Sequence, residues 1–164
     1  MSCDAVAFSA MLWMASFNPG QTAGPAPAVI QQPAVPQSVA GEPLFQDIVK
    51  RAAQLKAQTE AYRKALAGGD PAAGAKPLKG FDAFSAKIGA LSALDMKGHI
   101  SLRDRGAVDD LKCILRGISQ DLPEKLTAMG AAKTLKDQDL ALRDMVYLLN
   151  DNVEVITAPP QPAA

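Results

Sequence analysis

Apolar residues recur three, four and seven apart through residues 134–157, where Leu135, Leu142, Met145, Val146, Leu149, Val153 and Ile156 fall on one side of a helix. Thr134 stands where an N-cap belongs, with Asp137 three residues on in the position of a capping box. Asp137 and Asp139 place negative charge in the first turn, where the helix dipole favours it. Asp139 and Arg143 are four apart and are expected to pair on the wet face. Asn150, Asp151 and Asn152 offer an early stop that would leave 153–156 extended. A helix with one apolar side needs other helices to cover it.

The same spacing occurs upstream. Leu44, Phe45, Ile48, Val49, Ala52, Leu55, Tyr62 and Leu66 predict a helix over 43–67, with Pro43 in its first turn and Gly68-Gly69 ending it. Phe81, Phe84, Ile88, Leu91 and Leu94 predict a second over 81–94. Gly98 then suggests a turn. Leu102, Val108, Leu111, Ile114, Leu115 and Ile118 predict a third helix from about Ser101 to Ser119. Asp121-Leu122-Pro123-Glu124 reads as a fresh N-cap and first turn, opening a short helix with Leu122, Leu126 and Met129 inward and Gly130 at its end. Residues 68–80 read as a flexible loop with little chemistry beyond two lysines. The fold expected is all-α: an up-and-down bundle of about four main helices with one extra short helix, occupying 42–158.

The flanks are different in kind. Residues 19–43 carry six of the twelve prolines, and 159–164 hold three more, so about 18–41, which includes the Pro-rich linker 29–41, and the Pro-rich tail 159–164 are expected to be disordered. Residues 5–17 are apolar apart from two serines and are then broken by Asn18-Pro19-Gly20. Thirteen residues are too few to cross a bilayer, for which about 20 are needed. They suit the centre of a secretory signal, with Ala26 and Ala28 as the small residues a signal peptidase reads. No Lys or Arg precedes the run, the first being Lys50. Residues 1–28 are therefore expected to be a signal peptide or an apolar tail.

Charge narrows the function classes. The 17 basic and 17 acidic residues alternate at short range, as in Arg103-Asp104-Arg105, so no basic face addresses nucleic acid or an anionic membrane. Cys3 and Cys113 could form one disulfide but lack the spacing of a metal motif; if the N-terminus is removed Cys113 stands alone, and on its apolar helical stretch it is expected as a buried thiol. His99 is the single histidine. It is expected exposed in the Gly98 turn and dispensable, although Ser101 and Asp95 nearby invite a Ser–His–Asp reading and Met96, Met129 or Met145 a haem-ligand reading. One histidine excludes the standard di-iron pattern, and the acidic run around Asp104, Asp109, Asp110 and Asp121 lacks a calcium-loop spacing. No catalytic residue, cofactor or metal ligand is assigned. The expectation is an exported, non-enzymatic bundle, periplasmic or secreted, that binds another protein and has no stable membrane span. The alternatives are a haem or small-ligand carrier using the bundle core, and a cytosolic regulatory or adaptor protein with an N-terminal docking tail. Tail, bundle and proline tail is also the layout of many small bacterial envelope proteins, an analogy of form only.

Overall fold

The computed structural model describes residues 38–107 and 110–158. The signal-like segment, the linker up to residue 37, Val108, Asp109 and the tail 159–164 lie outside the described residues. Four helices follow in order: α1 (Pro43–Leu66), α2 (Phe81–Asp104), α3 (Leu111–Ala131) and α4 (Leu135–Thr157). Each packs on its chain neighbours, and α1 closes the ring against α4, so α2 and α4 face one another only across the diagonal. Neighbours run antiparallel. Arg63 meets Asp139 and Lys56 meets Asn150 across α1 and α4, while Ser92 meets Ser119 and His99 meets Lys112 across α2 and α3. This is the up-and-down bundle that the periodicity predicts.

The ends of α1 and the start of α4 are built as their residue types dictate. Pro43 occupies the first turn of α1, and Gly68 leaves it with φ +78°. Thr134 caps α4, its hydroxyl accepting from the Asp137 amide at 3.1 Å and donating to the Asp137 carboxylate at 2.8 Å. Burial follows the apolar stripes. Phe45, Ile48, Phe84, Ile88, Leu91, Leu115, Leu122, Leu142, Met145, Leu149 and Ile156 have no exposed surface. Val146 and Val153 are half-buried at the edges of the α4 stripe. The core also reaches back to Val39, which is buried, so the packed region starts before residue 42.

Three boundaries differ from the sequence expectation. Gly98 does not break α2. A missing side chain there lets neighbouring helices close in, since a Cβ would stand 3.1 Å from Leu115 Cδ1 and 3.4 Å from both Ile48 Cδ1 and Phe45 Cε1. Close approach, rather than a turn, explains a glycine whose helix cost is about 1 kcal/mol. The chain turns after α2 instead, where Gly106 takes φ +68°. Leu102 thus belongs to α2 and not to α3.

The extra short helix is the second half of α3, which runs through Pro123 without a stop. A proline inside a helix leaves the carbonyl four residues back without its amide. That carbonyl belongs to Ser119, and the Ser92 hydroxyl of α2 donates to it at 2.7 Å. A side chain from the neighbouring helix replaces the missing main-chain donor. Finally, α4 does not stop at Asn150-Asp151-Asn152 but continues to Thr157, because Asn152 is turned into the core and wholly buried.

Candidate functional site

Seven polar or charged residues are buried among the apolar ones: Thr59, Asp95, His99, Lys112, Ser119, Gln138 and Asn152. Most satisfy the main chain. Thr59 Oγ1 donates to the Leu55 carbonyl at 2.8 Å, Ser119 Oγ to that of Arg116 at 2.7 Å, and the Lys112 ammonium to that of Ala107. Lys112, two residues after Asp110 of the acidic run, lies inside rather than pairing with those acids on the surface. Of that run, Asp104 pairs with Arg103, Asp121 is exposed farther along α3, and Asp109 lies outside the described residues.

His99 corrects the sequence reading most clearly. It sits in the last two turns of α2, is 8% exposed, and its Nδ1 lies 2.6 Å from the Lys112 carbonyl of α3. A carbonyl only accepts, so Nδ1 carries the proton. That nitrogen therefore addresses neither Asp95 nor Ser101, and the three do not form a triad. Met129 lies near the far end of α3, 17 residues from Lys112 and so about 25 Å along the axis. Met145 sits two turns before Asn152, toward the end of the bundle away from His99. The residues that suggested haem ligation are spread along the bundle. Cys113 is half-buried, and its sulfur is held in a disulfide rather than as a thiol.

One contact in the core is unlike the rest. Asn152 Nδ2 donates to Asp95 Oδ2 at 2.9 Å, which joins α4 to α2 across the diagonal. Both side chains are wholly buried, and the remaining Asp95 oxygen, Oδ1, and the single side-chain oxygen of Asn152, Oδ1, have no hydrogen-bond partner among the described residues. Burial raises the Asp95 carboxyl to about 7 despite the opposing hydrogen bond from Asn152. The spacing of Asp95 in α2 gave the signal: it is four residues from Leu91 and seven from Leu102, on the apolar stripe, where a carboxylate does not belong.

At the other end of the bundle, the loop between α1 and α2 is a strap and not a loose connection. The Leu135 amide donates to the Ala73 carbonyl at 2.8 Å, the Lys136 amide to that of Pro71 at 3.1 Å, and the Ala75 amide to that of Lys133 at 3.0 Å. Gln138 grips Lys76 from both sides, Oε1 accepting from its amide at 3.0 Å and Nε2 donating to its carbonyl at 2.7 Å. The first amides of α4 are thereby taken by the strap and by Thr134, which closes that helix end to an anion. Open grooves of about 400 Å³ and 390 Å³ flank the strap; Leu78, Phe81 and Met129 line the first, and Arg63, Leu135 and Asp139 the second. Asp139 pairs with Arg63 of α1 through two contacts, at 2.9 and 3.2 Å, and not with Arg143, which pairs with Asp144. The inter-helix partner offers the guanidinium a bidentate fit.

The outward ridge of α4 carries Lys136, Leu140, Arg143, Tyr147, Asp151 and Glu154, all exposed. Tyr147 is 63% exposed and Leu140 44%. They stand seven residues and about 10 Å apart on the same face. Leu140 also borders a shallow groove of about 300 Å³ between α3 and α4, floored by Ala128, Ala131, Ala132 and Ala141. Among the described residues no cluster of His, Cys, Asp or Glu could hold a metal ion, and no helix is long and apolar enough to cross a membrane. The chain matches no family model, no curated protein and no solved structure.

Proposed function

We propose that this chain is an exported, non-enzymatic helical bundle that binds another protein through the outer ridge of α4. The observation that carries the reading is the exposure of Tyr147 beside Leu140 on a helix whose opposite face is fully committed to the core. Tyrosine offers a large apolar surface with a polar tip at little entropic cost, which is why it is enriched among the residues that dominate protein interfaces. The side chains that suggest chemistry are spent on structure: the protonated nitrogen of His99 holds a main-chain carbonyl, and Gln138 holds the strap. Export is supported by the apolar run at 5–17, the break at Asn18-Pro19-Gly20 and the small residues Ala26 and Ala28.

Two measurements test the two halves. A photo-crosslinking side chain in place of Tyr147 should capture one partner, whereas the same group at exposed Gln120 on α3 should not. The purified partner should then bind Tyr147→Ala at least tenfold more weakly than the parent chain, a loss of about 1.4 kcal/mol. Equal capture at both positions, or capture of a second copy of the chain, overturns the ridge. N-terminal sequencing of the native protein should begin near Val29, a cleavage that removes Cys3 and leaves Cys113 as the one cysteine of the mature chain; a chain beginning at Met1 or Ser2 overturns cleavage of a signal.

A further inference from the structure

The Asp95–Asn152 contact joins the two helices that stand diagonally opposite in the bundle. An amide donates from Nδ2 and accepts at Oδ1; an ionised carboxylate only accepts. With Asp95 ionised, the contact has one donor nitrogen for three acceptor oxygens, and two of those oxygens are left without a partner in an apolar interior. One proton on Asp95 Oδ1 changes this. The carboxylic acid then donates, and the amide oxygen is the acceptor that lacks a donor. The result is the two-bond pairing of an acid with an amide, in which both groups are neutral.

The half-buried Arg116 of α3 stands in register with Asp95, yet no cation contributes to the carboxyl's shift. Among its buried residues α1 presents one titratable group, Tyr62, whose hydroxyl donates to the Lys79 carbonyl at the other end of the bundle. On α2 it is His99, engaged by the Lys112 carbonyl, and on α3 Lys112, engaged by the Ala107 carbonyl. The buried residues of α4 include none. The half-buried Lys56 of α1 reaches α4 two residues before Asn152, but it donates to Asn150 at 2.7 Å. The two influences on the carboxyl are burial, which favours the neutral acid, and the Asn152 hydrogen bond, which is smaller.

We propose that Asp95 and Asn152 form a proton-operated latch between α2 and α4, closed when Asp95 is a neutral acid and loosened when it ionises. The sign follows from linkage. The folded carboxyl titrates at about 7, and an unfolded aspartate near 3.9. Between these values the folded chain holds a proton that the unfolded chain has lost. Stability is therefore full below about pH 4, falls as pH rises toward 7, and is level above it.

The test is urea unfolding of the full chain across this range. One linked proton means that the unfolding constant rises about tenfold per pH unit between about pH 5 and 6. In Asp95→Asn, a neutral side chain with a donor for Asn152 Oδ1, that slope should vanish. The slope should survive in His99→Gln, which changes the neighbouring buried residue of α2 and leaves the Asp95–Asn152 contact in place. Carbon NMR of the Asp95 carboxyl reads the site in the unaltered protein, even where a variant fails to fold. A transition near neutral pH supports the latch. A carboxylate already ionised at pH 5, or an unchanged slope in Asp95→Asn, overturns it.

Discussion

At the scale of single residues, the depth of burial decides what a substitution costs. Leu149 has no exposed surface and lies mid-stripe on α4, so Leu149→Ala should lower stability by about 2–5 kcal/mol, the usual range for a large-to-small core change. A change below about half a kcal/mol in urea unfolding would mean that the helix face is wrong. Read as a surface residue, His99 should tolerate alanine at about half a kcal/mol or less. Its burial and its bond to the Lys112 carbonyl now set the expectation for His99→Ala at about 1–3 kcal/mol. The same urea experiment separates the two.

Elements show where sequence periodicity succeeds and where it stops. Four helices, their inward faces and the Thr134 cap were legible because each is a local property: a stripe of large apolar side chains, or a hydroxyl three residues before an amide. The misread boundaries are cases in which a distant residue reverses a local signal. Gly98 reads as a turn until Leu115, Ile48 and Phe45 are known to crowd it. Pro123 reads as a helix start until Ser92 is known to take the carbonyl it strands. The Asp139–Arg143 spacing suggests a pair until Arg63 arrives from α1. The Ser92–Pro123 relation can be measured as a coupling. Ser92→Ala should cost about 1–2 kcal/mol in the parent chain, because the Ser119 carbonyl is then unsatisfied. In a Pro123→Ala background the restored amide takes over, and the same change should cost about half a kcal/mol or less. A double-mutant cycle with no coupling would separate the serine from the proline.

On the scale of the whole molecule, the bundle is closed at one end by the strap and joined toward the other by one diagonal polar contact. The candidate interaction face lies outside both, on the free side of α4, so changes at Tyr147 should leave the fold intact. Replacing Asp95 and Asn152 together by leucine removes the burial penalty of both polar groups, and such exchanges are often neutral or stabilising by about 1–4 kcal/mol. At pH 8, where the carboxyl is ionised, the double variant should be at least as stable as the parent. A large loss in thermal unfolding would show that the contact itself holds the bundle together.

That polar contact also bears on which of several alignments the helices adopt. Apolar stripes are forgiving: sliding α4 by one turn, about 5.4 Å, still sets leucine against leucine. It would also carry Asn152 away from Asp95 and leave each facing hydrocarbon alone, at a cost of the order of 1–3 kcal/mol for each polar group. A diagonal pair selects position along the axis and is indifferent to the sense in which the helices run around it, since α2 and α4 stand opposite in either ring. The double leucine variant should therefore keep its four helices while sampling more than one vertical alignment, visible as doubled or broadened amide resonances from α4. Asp95 and Asn152 act as a notch on a sliding rod: beyond its pH-dependent grip, the pair sets where the rod stops.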